Sequence, residues 1–174
     1  IYYINAAPHI GHAYTTIAAD VLARHKRRLG TPAHFLTGTD EHGLKIEEAA
    51  KAAGKHTIDF CDAVSKQFRD LFQHLDVVQD DFIRTTEKRH EDRVQEIFKR
   101  LQAAGDIYKG QYRGWYCVSD ETFFSETEAA PDEKGRRLCP NAECRKPLRE
   151  VEEESWFFKL SKYGPALLEH YKAN

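Results

Sequence analysis

The stretch Ile1-Tyr2-Tyr3-Ile4-Asn5-Ala6-Ala7-Pro8-His9-Ile10-Gly11-His12 decides how the rest of the chain reads. Its first four residues are apolar or aromatic, as in a short buried strand. The strand runs into a turn, and the turn opens a helix. Beyond the turn, Tyr14, Ile17, Ala18, Val21, Leu22, His25 and Leu29 recur at helical spacing, until Gly30 and Pro32 stop the period. The first helical turn carries His9 and His12, three apart on one face, and Gly11, which has no Cβ and admits close approach. A helix N-terminus offers free N–H groups and the positive end of a dipole. These features together make a site for a nucleotide and its phosphates. On these residues alone the plainer reading, a capped helix with two surface histidines, is equally open.

Moving outward, the spacing predicts a short β-prone strand over Ala33 to Thr37, then a polar turn from Gly38 to Gly43. Ile46, Ala49, Ala50 and Ala53 predict a second amphipathic helix ended by Gly54. Cys61, Val64, Phe68, Leu71, Phe72 and Leu75 give a third, which Thr57 can cap. Asp81 to Arg84 reads as a strand. Thr86 can cap a fourth helix bearing Val94, Ile97, Phe98 and Leu101. Strands alternating with helices predict an α/β fold, a Rossmann-like parallel sheet with helices on both faces. Ligands of such sheets bind beyond the carboxyl ends of the strands, which brings His9, His12 and Asp40 to one crevice. Near residue 106 the texture changes. Tyr108, Tyr112, Trp115, Tyr116, Phe123 and Phe124 cluster among glycines and charges, with no long helical period until about Gly164. The expected organisation is a Rossmann-like unit over 1–105 and a small β-rich insertion with a knuckle over 106–174.

Composition narrows the function classes. A net charge of −2 gives no basic footprint of a dedicated nucleic-acid module. With 31% charged residues and no apolar run of membrane length, no membrane association is expected. Four cysteines, Cys61 alone and three between 117 and 144, make no disulfide framework, so a reducing, cytoplasmic setting is expected. Cys61 falls on an apolar helix face and reads as a small core residue. The chain opens on Ile inside a strand and contains no Met, as expected for a piece of a longer polypeptide.

Several blocks in order carry a family resemblance: Tyr3-x-Asn5-x-x-Pro8-His9-Ile10-Gly11-His12-Ala13-Tyr14-Thr15-Thr16, Phe35-Leu36-Thr37-Gly38-Thr39-Asp40-Glu41-His42-Gly43, Asp81-Phe82-Ile83-Arg84-Thr85-Thr86, Trp115-Tyr116-Cys117 and Glu152-Glu153-Glu154-Ser155-Trp156-Phe157-Phe158. Over essentially its whole length the chain resembles the methionyl-tRNA synthetases, the bacterial and organellar members above all. The resemblance implies an enzyme that activates methionine with Mg-ATP to methionyl-adenylate and transfers it to tRNA(Met). It implies that His9 and His12 stabilise the phosphates and that Gly11 admits the nucleotide. It gives Asp40 the α-ammonium of methionine, and makes Ile1 and Tyr3 walls of the methionine pocket. It also implies a connective-peptide insertion and a second half with a lysine-rich loop, which has no counterpart here; the fragment alone is therefore expected to be inactive.

Zinc-bearing relatives carry two C-x-x-C-like pairs. Here the four positions are Cys117, Asp120, Cys139 and Cys144, with a carboxylate for one thiolate and a longer second spacing. Zinc retained and zinc lost are both compatible with this pattern. Arg136, Arg137, Arg145, Lys146 and Arg149 flank the knuckle, as solubilising charge or as contacts to an acceptor-stem backbone. Trp156 to Phe158 read as core. The rival readings are another synthetase of the same fold, a nucleotidyltransferase with an H-x-G-H site, and a non-catalytic tRNA-binding or scaffolding fragment. The Thr37–Gly43 block argues against the first. The aromatic-rich insertion argues against the second. Missing catalytic parts favour the third for this chain as it stands, and weak basicity disfavours it.

Overall fold

The computed structural model describes residues 1–174 as two compact units, Ile1–Arg93 and Val94–Asn174. In the first unit three parallel strands lie in the order β1 (Tyr2–Tyr3), β2 (Leu36–Asp40), β3 (Asp81–Arg84). The crossovers are α1 (Ile10–Arg28) between β1 and β2, and α2 (Leu44–Ala52) with α3 (Thr57–His74) between β2 and β3. The register pairs Tyr3 with Asp40 and Thr39 with Arg84, so three strand ends finish side by side. This is the parallel α/β sheet expected from the alternation of elements. The second strand sits three residues later than its apolar run suggested. Gly38, expected to open the turn, lies inside β2 instead: its φ is +153°, and a Cβ there would stand 1.9 Å from the Ile83 carbonyl oxygen. Only glycine lets β2 lie this close to β3.

The core of this unit is built chiefly by α3. Cys61, Val64, Phe68 and Phe72 fall on one face and meet Ile4, Ile46 and Phe82. Each fully buried phenylalanine contributes roughly 1.5–3 kcal/mol. Cys61 is thus the small core residue its position implied. Helix α1 departs from expectation. Its apolar stripe is exposed within this chain, with Ile10 87%, Tyr14 75% and Val21 58% accessible. What it turns inward is Thr16, Asp20 and Ala23. Tyr2 OH shares a hydrogen bond with Thr16 Oγ1 (2.5 Å), and Asp20 accepts from Arg24 Nε (2.6 Å) and the Val78 N–H (3.0 Å). Hydrogen bonds, rather than the stripe, seat this helix. The apolar residues Val94 and Ile97 of α4 (Lys88–Ala103) are likewise exposed.

In the second unit β4 (Ile107–Cys117) pairs antiparallel with β5 (Thr122–Phe124) and β6 (Arg149–Phe158), in the order β5-β4-β6. One face carries a row of rings. Tyr108 and Tyr112 flank Phe157, at centroid distances of 5.6 and 6.2 Å, and Phe123 lies between Tyr112 and Tyr116 at 4.4 and 4.6 Å. Trp156 is on the other face, edge-on to Phe98 at 5.2 Å. It and Phe158 are exposed within the chain, which corrects the expectation that they are core. The acidic run of β6 is a paired surface: Glu154 bonds Lys109, and Glu150 accepts from Arg113. A 3₁₀ turn (Leu160–Tyr163) and α5 (Gly164–Ala173) follow, pinned by buried Asp106, which accepts from Lys162 and Tyr163.

Candidate functional site

The start of α1 is a reciprocal cap made of two histidines. His9 is the N-cap, in extended conformation, and its Nδ1 accepts from the Gly11 N–H at 3.1 Å. His12 Nδ1 accepts in turn from the His9 N–H at 3.1 Å. This is the geometry of a capping box, with imidazoles in the roles usually taken by Ser/Thr and Glu. Since each Nδ1 is an acceptor, each neutral ring carries its proton on Nε2, directed away from the backbone. Two N–H donors are thereby fixed beside a helix N-terminus. The two rings lie 3.8 Å apart at a tilt of 30°, and His12 is wedged edge-on against Tyr2 and Phe68, each at 5.0 Å. Burial, then the neighbouring His9 charge, lowers the pKa of His12, which favours the neutral donor. A Cβ at Gly11 would lie 2.9 Å from His9 Cε1. The first use of this glycine is therefore to let the His9 ring fold over the helix start.

The carboxyl end of β2 places two carboxylates in contrasting surroundings. Asp40 is half-buried beside Tyr3, and no hydrogen bond or ion pair within this chain engages its side chain. Glu41 is only 3% exposed and fully engaged. It accepts from Arg84 Nε and Nη2 (2.7 and 2.9 Å), Thr39 Oγ1 (2.6 Å) and Thr86 Oγ1 (2.5 Å). Burial pushes its pKa up, but the hydrogen bonds from Arg84, Thr39 and Thr86 outweigh this and hold it below the usual carboxylate range. Arg84 also pairs with Asp62 at 2.6 Å. The Glu41 N–H donates to Thr85 Oγ1 at 2.8 Å, and the His42 and His90 rings meet the Thr85 carbonyl oxygen. Thr86, whose position predicts a helix cap, instead donates its hydroxyl to Glu41. The partner Arg84 is 43 residues from Glu41, and no local pattern announces it.

In the second unit the knuckle brings Cys117, Asp120, Cys139 and Cys144 together, with one ligand atom from each within 4.8 Å of the others. The longer spacer does turn back. The Cys144 and Arg145 N–H groups both donate to the Asn141 carbonyl oxygen, Arg145 takes φ +49°, and a bridge joins Leu138 to Pro147. The Cys117 and Cys144 sulfurs are 3.5 Å apart. Cys139 Sγ donates to Asp120 Oδ2 at 3.1 Å, and Asn141 Nδ2 donates to the same oxygen at 3.0 Å. Burial, then the bond to Asp120, pushes the Cys139 thiol up to about 12. Of the flanking cations, Arg136 is tied to Asp132, and Arg137 to the Ala129 carbonyl oxygen and across the Trp115 ring. These two arginines brace the knuckle.

The parallel sheet, with a histidine-capped first helix and a free carboxylate at the end of its second strand, agrees in fold with the class I tRNA synthetases. Within that class the chain belongs to the family described as tRNA synthetases class I (M), whose model matches residues 1–174. The methionine--tRNA ligase of Thermotoga maritima is 50% identical over 172 residues, 99% of this chain and 27% of that protein. The Streptomyces coelicolor ligase is 49% identical, over 100% of this chain and 33% of its own length. A crystal structure of the Mycobacterium tuberculosis methionyl-tRNA synthetase bound by methionyl-adenylate superposes with a TM-score of 0.91 at 46% identity, over 100% of this chain and 34% of that one. The chain thus spans about a quarter to a third of the length of these relatives. None of its helices is long and apolar enough to cross a membrane.

Proposed function

We propose that this chain supplies the nucleotide-binding and amino-acid-binding start of a cytoplasmic methionine--tRNA ligase, over residues 1–105, and part of its connective-peptide insertion, over 106–174. The observation that carries the reading is the pairing of the two-histidine cap with unengaged Asp40 at the carboxyl ends of adjacent strands. Forming an aminoacyl adenylate joins a carboxylate to the α-phosphate of ATP and expels pyrophosphate. No protein nucleophile is needed; the protein must position two anions and stabilise growing phosphate charge. The Nε2–H groups of His9 and His12, with the α1 dipole, meet the phosphates of Mg-ATP as that charge develops. The ribose and base pass over Gly11. Asp40 receives the methionine ammonium in a charge-assisted hydrogen bond. Ile1 and Tyr3 contribute to the wall for the thioether side chain.

The exposed stripe of α1 supports a longer protein that covers it, with tRNA(Met) as the acceptor of the activated methionine. The test is methionine-dependent ATP–pyrophosphate exchange. The complete enzyme should show it and the purified 174-residue chain should not; exchange by the short chain defeats the view that further parts are required.

The knuckle fits structural zinc. Three sulfurs and one carboxylate make four donors, and Cys117 and Cys144 stand 3.5 Å apart. A tetrahedron with Zn–S bonds of about 2.3 Å has edges of about 3.7 Å. Cys117, Asp120, Cys139 and Cys144 would hold the ion, with the Asn141 amide orienting Asp120. Bound zinc would cross-link the loop ends and leave no open position for catalysis.

A further inference from the structure

Neighbouring residues at the end of β2 divide two tasks between them. Thr39 and Glu41 bond one another and share the buried side of the strand, so the alternation of a strand sends Asp40 to the other side. Glu41 is held by donors from three elements. Arg84 closes it bidentately from β3, and Thr86 bonds it from the turn beyond; Thr39 bonds it within β2, where its hydroxyl also meets Ser65 of α3 at 3.2 Å. Its backbone is gripped as well: the N–H donates to Thr85, and the carbonyl oxygen accepts from the Cys61 thiol at 3.9 Å. An acid with this many donors anchors the peptide unit that joins it to Asp40. Asp40 itself has no partner within this chain to fix its height or direction.

We propose that Glu41, locked to Arg84 and Thr86, is a positioning residue that holds Asp40 at the height needed to receive the ammonium of the amino-acid substrate. The inference rests on the reading of Asp40 as the ammonium partner, and its test separates the two. In the complete enzyme, methionine-dependent ATP–pyrophosphate exchange is measured for Glu41→Gln, Asp40→Ala and the double variant. Glu41→Gln keeps the shape and weakens the lock. It should raise the methionine KM about tenfold, a loss on the order of one charged hydrogen bond, with the ATP KM changed less than about twofold. In the Asp40→Ala background the same substitution should add less than about twofold to the methionine KM, because the residue being positioned is gone.

An unchanged methionine KM in Glu41→Gln overturns the proposal, and so does an equal rise in both backgrounds. A merely structural role would reduce the folded fraction and kcat while sparing this split. If Glu41→Gln does not fold, Thr86→Val removes one donor, leaves the Arg84 pair, and should raise the methionine KM about threefold in the same selective way; no rise there overturns the proposal. An Asp40→Ala enzyme with normal methionine KM instead overturns the underlying assignment of Asp40.

Discussion

Gly38→Ala tests the packing that delivers Asp40 to the strand end. The new methyl would sit 1.9 Å from the Ile83 carbonyl oxygen and 2.9 Å from Ile83 Cγ2. Carbon–oxygen contact needs about 3.3 Å, so β2 and β3 must part by more than about 1 Å. The pair is in register only over Leu36–Thr39 against Asp81–Arg84, so the change reaches most of its ladder. Loss of two or three bonds at about 1 kcal/mol each, with about 1–3 kcal/mol for alanine at this φ, gives roughly 3–6 kcal/mol. That is a large share of a typical domain stability of about 5–15 kcal/mol. Gly54→Ala is the matched control: its φ is +65°, but nothing lies within 4 Å of the added Cβ, so only a backbone cost of about 1–2 kcal/mol applies. Urea denaturation followed by circular dichroism, with amide exchange of β2 and β3, measures both variants. Equal costs for the two, or a Gly38→Ala loss below about 1 kcal/mol, would refute the close-approach argument.

Two further outcomes follow from the sites. The His12 pKa is lowered in the folded chain, so the unfolded chain binds the proton more readily. The contribution of this cap is fully present above the unfolded value of about 6.5 and declines as pH falls toward the folded value. Stability measured between about pH 7.5 and 5.5 should therefore fall on acidification, and His12→Asn should flatten that slope; an unchanged slope contradicts the acceptor role of Nδ1. For the knuckle, elemental analysis should find near one zinc per chain, lost in both Cys117→Ser and Cys144→Ser. No zinc, with both variants folded normally, would show that aromatic packing around Trp115 holds the insertion instead.

Much of the fold could be read along the chain because it follows from local pattern. The strand–turn–helix at Pro8 and the phenylalanine face of α3 are set by period and by turn residues. What escaped is set between elements. The α1 period announced a helix, but an apolar stripe does not say what covers it, and here polar Thr16 and Asp20 face inward. The register of β2 depends on Gly38 meeting Ile83, a distant residue. Thr86 has the chemistry of a cap, yet its hydroxyl goes to Glu41. The pattern of the knuckle named four candidate ligands. Their approach depends on the turn at Asn141 and the Leu138–Pro147 bridge, which spacing alone does not display. At the crevice, the sequence names the two histidines and the acid only as candidates. The tautomer fixed by their mutual capping, and the Glu41–Arg84 lock behind the acid, depend on contacts that no local pattern displays.

Asp40 and the two histidines divide the labour in the proposed site. The most direct measurement is pre-steady-state adenylate formation by the complete enzyme carrying Asp40→Ala, His9→Ala or His12→Ala, with methionine and ATP varied separately. Asp40→Ala should weaken methionine binding by about 1.5–3 kcal/mol with little effect on ATP binding. The histidine variants should slow the chemical step with modest change in methionine affinity, since their partner charge develops in the transition state. Equal losses of rate and methionine affinity in all three variants would contradict the account.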